Sequence, residues 1–166
     1  MDKKKILLLI YCKTEGCRQI SNTIKNELEK EQFDVDLEEI KPKLELKEFE
    51  YSKLNKIELA SKPVDVKKYD LIVLGLNVWT LNINPVIETY LKGIKNAKNK
   101  KFALYLKCIV QGNSARKVES IINMMQSTVI KKTNFQSIFD ITPKMVFDAK
   151  RFSIDIVKTM NIKKQD

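Results

Sequence analysis

Two stretches of the chain are apolar at both odd and even positions: Ile6 to Tyr11, read Ile-Leu-Leu-Leu-Ile-Tyr, and Tyr69 to Leu76, read Tyr-Asp-Leu-Ile-Val-Leu-Gly-Leu. Successive side chains of a strand point to opposite faces, so a strand with one wet face carries a polar residue at every second position. Runs without that alternation belong to strands covered on both sides, as in a parallel sheet flanked by helices.

The segments between and after these runs fit that frame. From Cys17 onward the apolar spacing changes to Ile20, Ile24 and Leu28, one face of a helix that ends near Lys30 to Gln32. Phe33, Val35 and Leu37 then alternate with Asp34, Asp36 and Glu38, which predicts a half-exposed strand near the sheet edge, stopping before Pro42. Residues 43–62 are densely charged, with scattered Leu44, Leu46, Phe49, Leu54, Ile57 and Leu59. They fit an irregular amphipathic helix and a long ordered loop equally, and their apolar residues offer a face for a homodimer.

After the Tyr69 run, Asn84 and Pro85 supply a helix cap and a first-turn proline, followed by the apolar face of Val86, Ile87, Tyr90, Leu91 and Ile94. Phe102 to Val110 reads as a fourth strand, and Val118, Ile121, Ile122 and Met125 as the next helix. Ile138 to Ile141 reads as a short fifth strand, and Thr142 and Pro143 open a last helix with Met145, Ala149, Phe152, Ile156 and Met160 on one side. The expected fold is one α/β domain over residues 1–166: a doubly wound five-stranded parallel sheet in the order 2-1-3-4-5, with helices on both faces. In such a sheet the winding reverses between the first and third strands, and ligand sites open there at the carboxyl ends of the strands. Three loops follow from that geometry: Cys12 to Cys17, Asn77 to Asn84, and Lys107 to Ser114.

Composition narrows the chemistry. At 166 residues with 4 Gly and 4 Pro, the chain can bury a core without staples or long linkers. The net charge of +10 invites an anionic partner, yet the lysines are spread through the chain and no nucleic-acid-binding motif accompanies them. A solvated basic surface is the expectation, not a nucleic-acid site. The complete lack of histidine removes histidine-based acid–base, triad and metal chemistry. No Walker loop or Gly-x-Gly-x-x-Gly fingerprint is present. The basic, apolar start at Met1 to Lys13 is too short for a signal peptide, and no segment reaches the roughly 20 apolar residues of a membrane span. Three cysteines without framework spacing point to a reducing cytoplasm.

Two stretches resemble the flavodoxin family. In Lys4 to Leu28 a strand ends in Tyr11-Cys12-Lys13-Thr14 and opens a helix. The second stretch, Tyr69 to Ile94, reads YDLIVLGLNVWTLNINPVIETYLKGI: a Tyr-Asp-led strand, a glycine, a Val78-Trp79 pair, a short polar loop and a proline-started helix. The resemblance implies flavin mononucleotide (FMN) as cofactor, its phosphate held by hydroxyls and backbone N–H groups where the first loop opens a helix, a position that favours anions. The family pattern there is roughly Ser/Thr-x-Thr-Gly-x-Thr. This chain has Cys12-Lys13-Thr14-Glu15-Gly16-Cys17, so one hydroxyl remains, the glycine is displaced by one place, and two hydroxyls are thiols, which are weaker donors.

Glu15 leaves two outcomes open. Pointing outward, it leaves Thr14, Gly16 and the backbone N–H groups free for a phosphate, with Lys13 or Arg18 offsetting charge; pointing inward, it occupies the anion site itself. The resemblance implies Trp79 beside the flavin ring, with Val78 in the same loop and Asn77, Thr80, Asn82 and Asn84 as candidate hydrogen-bond partners of the flavin edge; in the fourth-strand loop, Gln111-Gly112 permits close backbone approach to a ring. Trp79 equally suits packing over the helix behind it, Asn84 suits a helix cap, and Gly112 suits a turn before a cap at Asn113 or Ser114. Cys12, Cys17 and Cys108 all fall near the carboxyl end of the sheet. Cys17 at a helix start is a candidate reactive thiol, whereas all three also read as small buried residues. The functional expectation is an FMN-binding carrier of electrons or hydride that meets a redox partner protein or a small quinone-like substrate. The alternative is a flavodoxin-like domain without flavin that serves as a binding or regulatory module.

Overall fold

The computed structural model describes residues 3–78, 82–108, 112–137 and 141–161. Its five strands are β1 (Lys5–Tyr11), β2 (Asp34–Glu39), β3 (Leu71–Val78), β4 (Lys101–Cys108) and β5 (Thr128–Gln136). They form one sheet in the order β2-β1-β3-β4-β5, and all four neighbouring pairs are parallel. The helices are α1 (Glu15–Lys30), α2 (Pro85–Lys92), α3 (Ser114–Met124) and α4 (Pro143–Asn161).

The two-sided apolar runs become two cores. Ile6, Leu8, Ile10, Leu71, Val73, Ala103 and Tyr105 face α1 and α4. Leu7, Leu9, Ile72, Leu74, Leu76, Leu104 and Leu106 face α2 and α3. Helix starts follow the sequence signals: the Asn84 carboxamide accepts from the Val86 N–H at 2.7 Å and the Thr142 hydroxyl from the Met145 N–H at 3.2 Å.

Gly75 is a point of close approach on the α1 side. Its Cβ would sit 2.0 Å from the Tyr105 hydroxyl, so the tyrosine lies across the glycine of its neighbouring strand. That hydroxyl meets Ser21 Oγ of α1 at 2.6 Å, while Phe135 and Phe152 stand edge-on to its ring. Burial pushes the Tyr105 phenol well above its ordinary pKa, so it stays neutral in this bond.

The structure corrects the fifth strand. It is Thr128–Gln136, and Ile141 belongs to no strand; the expected positions 138–140 lie outside the described residues. This strand closes the sheet edge, so Lys131 and Lys132 are tolerated within it, and a bulge opposite Phe102 and Ala103 shifts its parity. Neither an unbroken apolar run nor clean alternation marks such a strand.

Residues 43–62 take the form of the ordered loop, not of an amphipathic helix. A short 3-10 helix, Glu48–Lys53, sits within otherwise irregular chain, and the Pro42 to Leu59 bridge ties its ends together. Tyr51 anchors the segment: its buried hydroxyl donates to the Leu44 carbonyl and accepts from the Leu46 N–H.

Candidate functional site

Strand parity decides what lies beneath the start of α1. On the α1 side, β3 ends in Asn77 and β4 in Lys107, and Cys12 directly follows β1 on the same side. Where the earlier residues of β3 and β4 on that side are apolar or glycine, Asn77 and Lys107 are polar and buried, and Cys12 continues the apolar face. The carboxyl ends of two adjacent central strands thus present a polar pair under the N-terminus of α1.

Thr14 caps that helix from an extended backbone conformation, and its Oγ1 accepts from the Cys17 N–H at 3.2 Å. The same hydroxyl donates to Asn77 Oδ1 at 3.2 Å, and Asn77 Nδ2 donates to the Lys107 carbonyl at 3.3 Å. A single side chain, only 3% exposed, thereby braces the first loop against the third and fourth strands. The other amides of the first helical turn have no acceptor within the helix, and they sit at the positive end of its dipole. The arrangement is fit to hold an anion.

Charges around the loop settle what the sequence left open. Glu15 is exposed, so its carboxylate does not fill the helix start. Lys13 pairs with Glu45 and lies over the Tyr11 and Tyr51 rings, and Arg18 pairs with Glu39 at 2.6 Å while reaching the Cys12 carbonyl. Neither cation is therefore the free counter-charge expected of it. Lys107 is the residue that sequence reasoning missed. Its one legible signal was a charge inside an otherwise apolar central strand.

Cys12 and Cys17 are joined in a disulfide, with Cα atoms 5.5 Å apart across five positions of sequence. That separation suits the bond, and the tight strand-to-helix turn brings both side chains to the α1 side of β1. Two expectations fall with it: Cys17 as a free reactive thiol, and the three cysteines as separate reduced residues. Cys108 remains a thiol; burial pushes its pKa up, opposed by the charge of Lys107. It faces α2 and α3, on the far side of the sheet from the disulfide.

The remaining expected site residues divide. Val78 is buried in the α2–α3 core, while Asn82 and Gly112 are exposed. Asn84 caps α2, as its alternative reading has it, and its Nδ2 donates to the Tyr11 hydroxyl. Among the described residues, Asn113 occupies the cap position of α3 without a side-chain cap bond and the buried Ser114 hydroxyl has no partner, so neither supplies the cap expected there. Trp79, Thr80 and Gln111 lie outside the described residues.

Strand order, all-parallel pairing and the position of this loop together define the flavodoxin-like class of doubly wound α/β folds. The comparison with solved structures agrees. The chain is similar to the two-electron reduced flavodoxin of Megasphaera elsdenii, at a TM-score of 0.62 and 17% identity, covering 89% of this chain and 98% of that one. It is similar to the flavodoxin of Streptococcus pneumoniae TIGR4, at 0.64 and 9%, covering 93% and 99%. It also resembles a flavoprotein of Lactobacillus acidophilus NCFM solved in complex with FMN, at 0.58 and 20%, covering 79% and 93%. At such identities the likeness establishes the fold. No family model matches the sequence, and no curated protein does. Among the described residues no helix is long and apolar enough to cross a membrane.

Proposed function

We propose that the chain binds FMN non-covalently at the start of α1 and carries electrons or hydride to a redox partner protein or a small quinone-like substrate. The observation that carries this reading is the Thr14-capped helix start at the β1–β3 switch point, braced by Asn77 and left clear by Glu15. The solved complex of the Lactobacillus flavoprotein with FMN supports the choice of cofactor.

Bound there, the flavin supplies the redox chemistry. The protein's own part is positional. The first-turn amides receive the phosphate, Thr14 fixes the turn that aims them, and Asn77 transmits that position to β3 and β4. Asn77, Asn82 and Gly112, with Trp79, Thr80 and Gln111, are the residues we assign to the ring environment.

Titrating purified, flavin-free protein with FMN should quench flavin fluorescence in a saturable way. Thr14→Val removes the cap and the loop hydroxyl, and is expected to weaken FMN binding about tenfold, since hydrogen bonds involving charged groups contribute about 1.5–3 kcal/mol. No quenching and no thermal shift in the wild-type protein would refute the proposal. Glu15→Gln is expected to change the affinity by less than about fivefold, because an exposed charge at a helix N-terminus contributes only about 0.3–1 kcal/mol. A large gain in affinity from that substitution would instead restore the idea of a carboxylate blocking the site.

A further inference from the structure

Lys107 lies in β4, an interior strand of the sheet, and is only 3% exposed. Its stem runs beneath the start of α1: Cε is 3.3 Å from the point that a Cβ on Gly16 would occupy. Ile141 flanks the same point at 3.5 Å. A larger residue at position 16 would press on the lysine, so the glycine lets the stem pass close beside the first helical turn.

Among the described residues the ammonium has no hydrogen bond and no ion pair. Lys107 is held through its main chain, within the sheet and by its carbonyl, which accepts from Asn77 Nδ2. The two other cations of the loop are spoken for by Glu45 and Glu39. Glu15, the acid nearest in sequence to the helix start, is exposed. A helix N-terminus is itself a positive pole, and a cation whose stem is buried beside it, with no carboxylate paired to it among the described residues, is unfavourably placed. That cost is relieved by one event: arrival of an anion.

We infer that Lys107 is a binding residue for the anion at this loop, the counter-charge of a dianionic phosphate monoester held by the α1 amides. The identity of that monoester as FMN rests on the proposed function; the pairing of Lys107 with a phosphate does not. A dianion gains from the ammonium and the helix pole together, whereas a neutral ligand of the same shape gains from neither. Lys107 therefore sets the preference for the phosphorylated over the unphosphorylated form of the ligand.

The test compares wild type with Lys107→Met and Lys107→Gln, each checked for folding by circular dichroism. Two readouts are taken: the ratio of FMN to riboflavin affinity, and the rise in melting temperature with inorganic phosphate against chloride of equal ionic strength. The expected result is an FMN affinity about tenfold weaker in both variants, a riboflavin affinity that does not change, and a phosphate-dependent rise confined to wild type. Variants that keep the wild-type ratio and the wild-type phosphate response would overturn the assignment. A wild type that takes neither flavin while its phosphate response is lost in both variants rejects FMN and retains Lys107 as a phosphate ligand. A wild type with no phosphate response and no preference for FMN over riboflavin rejects Lys107.

Discussion

Gly75→Ala is expected to destabilise the protein by about 3 kcal/mol, the upper end of what overpacking a filled core costs. Local propensity predicts the opposite sign, since alanine in a strand interior is favoured over glycine by roughly 0.5–1 kcal/mol. Tertiary contact decides the matter. A methyl group at position 75 would sit 2.0 Å from Oη and 2.1 Å from Cζ of Tyr105, far inside van der Waals contact. The tyrosine has nowhere to retreat: its hydroxyl bonds Ser21, and two phenylalanine rings wall its sides.

Thermal denaturation should show Gly75→Ala melting roughly 6–12 °C lower, taking about 2–4 °C per kcal/mol for a chain of this size. Pairing it with Tyr105→Leu removes the obstructing ring, so the alanine should then cost little, and the double-mutant cycle should give a coupling of about 2 kcal/mol. A Gly75→Ala protein within 1 kcal/mol of wild type on a denaturant curve would mean that β3 and β4 are not packed as described here.

The second large effect concerns the Cys12–Cys17 disulfide. Closing so short a loop removes unfolded-state entropy worth about 2 kcal/mol in the chain-entropy account. Cys12→Ser with Cys17→Ser is expected to lose about that much, or roughly 4–8 °C in melting temperature. The sulfurs are buried, and so is the third cysteine, so the native protein should be nearly inert to a thiol reagent. Denatured without reductant it should titrate one thiol, from Cys108, and after reduction three. Three thiols before reduction would show that the loop is not stapled, and would return Cys17 to the position of a free cysteine at a helix start.

These two experiments probe the parts of the molecule that differ most in how they could be read. Sheet order, four of the five strands and the starts of α2 and α4 were legible because each has a local cause: two-sided burial, an Asn-Pro or Thr-Pro start, a helical apolar stripe. The fifth strand was misplaced because an edge strand with a bulge loses both periodic signals, and the more apolar segment near Ile138 drew the assignment away. In the candidate site, the first loop followed from the sheet topology and Thr14 from the phosphate-loop pattern of the family the chain resembles. The disulfide was not, because pairing Cys12 with Cys17 rather than Cys108 depends on which face of β1 and β4 each cysteine occupies.

The sequence alone determined the doubly wound sheet and the end of it where ligands bind, because those follow from which residues avoid water and where helices begin. Only the tertiary structure decided the chemistry beneath α1. It turned Glu15 outward, spent Lys13 and Arg18 on neighbouring acids, stapled the loop, and brought Lys107 within reach of a residue 91 positions earlier in the chain. Charge partners are chosen by distance in space, and for residues on different strands the register and parity of the sheet set that distance.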